Sequence, residues 1–147
     1  MLIMPMVMLW LWSAWQPSIE FTSPVLILMS LSMFGGFSFE LARKIHSPDA
    51  ERNGQDSYSK TLGLKGAVIA VLHVLGVGVM TQFALLQLID AGIWSYLLIA
   101  SLFVFALLFY FRATQSKDQK LFRKAELIVS LFMLISYVSI IIETSIK

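Results

Sequence analysis

The sequence of 147 residues contains no cysteine, and only 14% of its residues are charged. The absence of cysteine excludes disulfide bonds and any metal site with thiolate ligands. A soluble domain would carry roughly 25% charged residues, and the hydrophobic fraction of 58% exceeds what one soluble core needs. This composition excludes an ordinary soluble domain and predicts a polytopic membrane protein.

Uncharged stretches close to the length that crosses a bilayer recur along the chain, since about 20 apolar residues span the hydrocarbon core as a helix. We predict an all-α transmembrane bundle of about five helices in a single membrane domain over residues 1–147. The first stretch has no basic residue before it and no small-residue cleavage site, so we do not interpret it as a signal peptide. We interpret it as the later part of a membrane helix, and we therefore expect the chain to be a fragment. The five helices are predicted at about residues 1–15, 24–42, 66–89, 93–111 and 125–142.

Charge alternates between the predicted loops. Residues 43–65 and residues 112–124 each contain five of the eleven lysines and arginines, whereas the turn at Asp90 is short and acidic. Loops rich in Lys and Arg remain on the cytoplasmic side of a membrane. We therefore predict that both basic loops are cytoplasmic and that Asp90 and Lys147 face outward.

The loop that follows the second predicted helix mixes acidic and basic residues, although acidic residues contribute little to orientation. Closely spaced carboxylates can hold Mg²⁺ together with substrate phosphates, and basic side chains beside them can bind the same phosphates. A solvated loop that only fixes topology is the alternative interpretation, as is a local ion pair between Glu40 and Arg43. Within residues 39–63 the charged residues are Glu40, Arg43, Lys44, Asp49, Glu51, Arg52, Asp56 and Lys60.

Residues 39–63, FELARKIHSPDAERNGQDSYSKTLG, resemble the second acidic motif of the UbiA-type intramembrane prenyltransferases. They are similar to the form found in a bacterial branch, which has a Glu-x-x-Arg-Lys-Ile start, a Pro-acidic run and a Gly-x-Asp-x-Tyr-Ser end. The other predicted helices agree with the family in number and orientation only. The matching positions are Glu40, Arg43, Lys44, Ile45, Pro48, Asp49, Glu51, Gly54, Asp56, Tyr58 and Ser59.

The resemblance implies the C-terminal part of a nine-helix bundle whose cavity opens towards the cytoplasm, in the bacterial inner membrane. It implies Mg²⁺-dependent transfer of a prenyl group from a polyprenyl diphosphate to an aromatic or lipid acceptor. Implied partners are that diphosphate, a small acceptor, membrane lipid and a separate N-terminal half, and we expect no nucleic-acid partner. A non-catalytic membrane subunit or scaffold that keeps the fold is the alternative function.

The resemblance also implies roles for individual residues, though it assigns no catalytic residue. Glu40 is either a further metal ligand or the orienting partner of Arg43. The sequence departs from the family in two ways: its acidic residues follow an Asp49-x-Glu51 spacing instead of lying four apart, and the first acidic motif is missing. The implied Mg²⁺ ligands are Asp49, Glu51, Asp56 and Glu40, and the implied diphosphate-binding residues are Arg43, Lys44, Arg52, Lys60 and Tyr58.

Overall fold

A computed structural model describes residues 23–50 and 57–145, with Asp49 described by its backbone alone. This part of the chain forms four α-helices, and a 3-10 turn, Pro48–Ala50, lies between the first two. The prediction of an all-α fold is confirmed for the described residues, and the first of the five predicted helices lies outside them. The helices are α1 (Ser23–Arg43), α2 (Tyr58–Leu88), α3 (Ile93–Ser116) and α4 (Gln119–Ser145).

Each of the four helices is long and apolar enough to cross a membrane. The shortest, α1, has 21 residues and is therefore about 31 Å long, which matches the thickness of the hydrocarbon core. Large apolar side chains lie on the outer surface, including Ile69 and Phe111. Length, composition and this apolar exterior are consistent with an integral membrane protein.

The four helices pack in a ring, in which α1 contacts α2 and α4, and α3 contacts the same two helices. Neighbouring helices are antiparallel, because Gln119 at the start of α4 contacts His46 just after α1, and Gly92 just before α3 contacts Glu143 near the end of α4. Residues 43–50, 57–60 and 112–124 consequently lie together, and we call this part of the bundle the basic end. Residues 88–95 and 139–145 form the opposite end.

Small side chains allow the helices to approach closely where they cross, as is usual in membrane bundles. Ala67, Ala106, Ala113 and Ala125 are all fully buried. Larger buried residues, such as Leu75, Ile99 and Phe132, fill the space between these contacts. The core therefore lies along the ring interior.

The structure extends three helices beyond the predicted apolar stretches at the basic end. Helix α2 begins at Tyr58 instead of residue 66, α3 ends at Ser116 instead of residue 111, and α4 begins at Gln119 instead of residue 125. Helix α2 is kinked at Gly63, which has a φ of 71°, a conformation that side-chain-bearing residues adopt only with strain. The motif loop is therefore shorter than predicted, since its last residues belong to α2.

Candidate functional site

The last turn of α1 brings the first charged residues of the motif together. The carboxylate of Glu40 lies 3.0 Å from the guanidinium of Arg43 and 3.0 Å from the amine of Lys44. Spacings of three and four residues place these side chains on one face of a helix. The contact with Arg43 is the one expected of an orienting partner, and the role of Glu40 as a metal ligand stays a prediction.

Lys44 and Tyr58 join the two ends of the motif loop. The backbone N–H of Tyr58 donates to the carbonyl of Lys44 at 3.1 Å, and the Lys44 amine lies 5.7 Å from the centre of the Tyr58 ring, within the range of a cation–π interaction. Four of the predicted site residues, Glu40, Arg43, Lys44 and Tyr58, therefore lie together at the basic end.

A second set of contacts ties the loop to the bundle beneath it. The backbone N–H of Ser47 donates to Oε1 of Gln119 at 2.7 Å, and Nε2 of the same Gln119 lies 3.3 Å from Nδ1 of His46. The backbone N–H of His46 donates to the hydroxyl of Ser59 at 3.1 Å, and that hydroxyl is hydrogen-bonded to the hydroxyl of Ser57. The start of α4 thus holds the motif loop, a role that the sequence did not predict for Gln119.

The remaining predicted site residues are described less fully. Lys60 is exposed in the first turn of α2, where its backbone N–H donates to the carbonyl of Ser57 at 3.3 Å. The backbone of Asp49 lies in the 3-10 turn. Glu51, Arg52 and Asp56 lie outside the described residues.

The described residues fit an anion better than they fit a metal ion. Within residues 23–50 and 57–145, no group of three His, Asp or Glu side chains could hold a metal. Glu40 faces two cations, so these three side chains carry a net charge of about +1 at neutral pH. Arg43 is more than half exposed and can therefore contact a ligand from the aqueous side.

No family model, curated protein or solved structure matches the chain. The resemblance to the prenyltransferases therefore stays a prediction, which depends on residues 39–63.

Proposed function

We propose that the chain is the part of a Mg²⁺-dependent, UbiA-type intramembrane prenyltransferase that carries the second acidic motif. In this proposal it acts with a region that supplies the first acidic motif, and a prenyl group passes from a polyprenyl diphosphate to an aromatic or lipid acceptor. The observation that carries the proposal is the cluster of Arg43, Lys44 and Tyr58 at one end of a membrane helix bundle, inside a string of residues that resembles the family motif.

The chemistry requires charge stabilisation at this end of the bundle. The allylic C–O bond breaks and its electron pair leaves with the diphosphate, while a nucleophilic carbon of the acceptor forms the new bond to the prenyl group and then loses a proton. Negative charge grows on the leaving diphosphate, and positioned cations lower the free energy of that state. Arg43 and Lys44 are suited to this role because guanidinium and ammonium groups bind phosphate oxygens through charge-assisted hydrogen bonds.

Mg²⁺ enters the proposal through the resemblance. The described residues do not form a site for it, and its other candidate ligands, Asp49, Glu51 and Asp56, have side chains outside the described part of the chain. The described cations are proposed to bind the diphosphate directly.

Binding of a prenyl diphosphate to the chain in lipid nanodiscs tests the proposal. We expect Arg43→Gln and Lys44→Gln each to weaken binding roughly five- to tenfold, since a charge-assisted hydrogen bond at a partly exposed site contributes about 1 kcal/mol. Lys120→Gln is the matched control, because Lys120 is an exposed lysine at the same end of the bundle. Unchanged binding in both motif variants, or equal weakening by the control, would contradict the proposal.

A turnover assay tests the need for a second region. With Mg²⁺, a radiolabelled prenyl diphosphate and a panel of aromatic acceptors, the chain alone is expected to give no product. Co-expression with a region carrying an Asn/Asp-x-x-x-Asp motif is expected to restore product formation. Turnover by the chain alone would refute the requirement for that region.

The second candidate function is a non-catalytic membrane subunit or scaffold. It is favoured by the ion pairs of Glu40 with Arg43 and Lys44, which compensate one of these two positive charges without any ligand. Absence of saturable prenyl diphosphate binding in the parent chain, with and without Mg²⁺, would favour this function over the enzyme.

A further inference from the structure

An apolar groove of about 520 Å³ runs between α2 and α3 on the outer surface of the bundle. Its volume lies in the range of pockets that hold small molecules. Lys65 and Thr114 lie at the end of the groove nearer the basic end. The apolar walls are formed by Val68, Ile69 and Leu72 of α2 and by Leu107, Leu108 and Phe111 of α3.

The groove opens sideways, towards the lipid that surrounds a membrane bundle. Ile69 is 68% exposed, Leu108 is 52% exposed and Phe111 is 63% exposed. The seven-residue rise from Lys65 to Leu72 gives the groove a length of about 10 Å. An occupant would therefore enter from the bilayer and lie along the helices.

Lys65 places a positive charge at one end of this groove, which distinguishes it from an ordinary apolar surface that faces lipid. Among the described residues that line the groove it alone is charged. The ion pairs found in the described part of the chain use Glu40 and Glu126, and none of them includes Lys65. An amine at the end of an apolar groove is most stable at the level of the lipid headgroups, where it can meet an anion.

The hydroxyl of Thr114 does not compete for that anion as a donor, because it donates to the carbonyl of Tyr110 at 2.8 Å. The kink at Gly63 separates Lys65 from the first turn of α2, which carries Tyr58 and Lys60. The described residues that line the groove include none of the cluster residues Arg43, Lys44 and Tyr58, and their one cation lies at the end of an apolar channel.

We propose that the groove binds an anionic phospholipid, with one acyl chain along its apolar walls and the phosphate at Nζ of Lys65. Basic pockets between membrane helices on the cytoplasmic side are a known way to bind anionic headgroups. A single cation matches one phosphate diester, whereas a diphosphate carries several negative charges and would need more cations than the groove offers. The inference does not depend on the proposed function.

The absence of cysteine in the chain allows a fluorescence test in vesicles. A bimane label at Leu108→Cys reports from the groove, and the same label at Leu127→Cys is the control. Leu127 is 61% exposed on α4 and lies as far after the α3–α4 turn as Leu108 lies before it. Brominated phosphatidylglycerol and brominated phosphatidylcholine, each added as a minor component to unlabelled phosphatidylcholine, quench the label on contact.

At position 108 we expect half-maximal quenching at an about fivefold lower fraction of brominated phosphatidylglycerol than of brominated phosphatidylcholine, since one basic residue near the surface contributes about 1 kcal/mol. Position 127 should show no such preference. Lys65→Gln should remove the preference at position 108, whereas Lys120→Gln should leave it intact.

Four results would overturn the proposal. The first is equal quenching by the two lipids at position 108, and the second is a preference that survives Lys65→Gln. The third is the absence of quenching by either lipid, which would mean that another protein segment covers the groove. The fourth is relief of quenching by an added prenyl diphosphate, which would assign the groove to that ligand instead.

Discussion

Replacing Gln119 by alanine should loosen the motif loop while leaving the bundle folded. Gln119 lies in the first turn of α4, and its Oε1 accepts the backbone N–H of Ser47 at 2.7 Å. Ser47 is 2% exposed, so water cannot easily replace that acceptor while the loop keeps its position. The same side chain also contacts Nδ1 of His46, and both contacts are lost in Gln119→Ala.

The size of the expected change follows from the free-energy cost of leaving the backbone N–H of Ser47 without a hydrogen-bond acceptor. A buried N–H left without an acceptor costs about 1–3 kcal/mol. The loop can escape this cost by opening locally, so the free energy of local opening should fall by about that amount. Amide hydrogen exchange in the loop should accordingly accelerate roughly 5- to 150-fold.

Hydrogen–deuterium exchange of the detergent-solubilised chain, followed by mass spectrometry of peptides covering residues 45–50, measures this change. Gln115→Ala is the matched control, because Gln115 is an exposed glutamine in the last turn of α3. Gln119→Glu keeps an acceptor for Ser47 and should preserve most of the protection. Unchanged exchange in Gln119→Ala, or equal acceleration in the control, would show that α4 does not hold the loop.

Two further predictions concern topology and stability. Single-cysteine labelling of intact cells should reach Lys147→Cys from outside and Asp118→Cys only after permeabilisation, and the reverse pattern would refute the orientation inferred from loop charge. Glu143→Ala should lower the free energy of unfolding, measured by titration with a denaturing detergent, by about 1–2 kcal/mol. Oε1 of Glu143 accepts hydrogen bonds from the backbone N–H of Gly92 and the hydroxyl of Ser95, so Glu143 caps the start of α3. Thr144→Ala, beside it, should change stability by no more than about 0.5 kcal/mol, and equal effects would contradict the capping role.

The sequence located the described helices but not their ends. Hydropathy identifies the part of a helix that lies in hydrocarbon, and α1 ends at Arg43, within one residue of the predicted end at residue 42. Helices α3 and α4 continue through polar residues at the basic end, up to Ser116 and from Gln119. The helical backbone hydrogen bonds continue into the membrane–water interface, where the residues are polar. Hydropathy therefore cannot locate the ends of these helices.

The contacts at the candidate site also fall into two groups, those that sequence spacing predicts and those that depend on how the helices pack. The pairing of Glu40 with Arg43 could be anticipated, because a spacing of three residues on a helix fixes the distance. The contact of Gln119 with Ser47 spans 72 residues and depends on how α4 packs beside α1. The buried contact of Gln82 with Ser139, which spans 57 residues, was equally inaccessible to reasoning from spacing.

The ion pairs of Glu40 also determine how a metal could reach this site. If Mg²⁺ bound Glu40 alone, it would displace Arg43 and Lys44 from the carboxylate and leave two cations beside a dication. At separations near 5 Å and an effective dielectric constant of about 20, that repulsion is on the order of several kcal/mol for each cation. In the proposed enzyme, a diphosphate bound together with its metal would bring the compensating negative charge, and Arg43 and Lys44 would then be able to contact the phosphate oxygens. The proposed enzyme should therefore bind metal and diphosphate together, and Glu40→Gln, which releases both cations from their carboxylate, should strengthen binding of a metal-free prenyl diphosphate. If Glu40 also serves as a metal ligand, the same change should in addition weaken the binding that depends on Mg²⁺. Unchanged metal-free binding in Glu40→Gln would contradict the role given to the ion pairs.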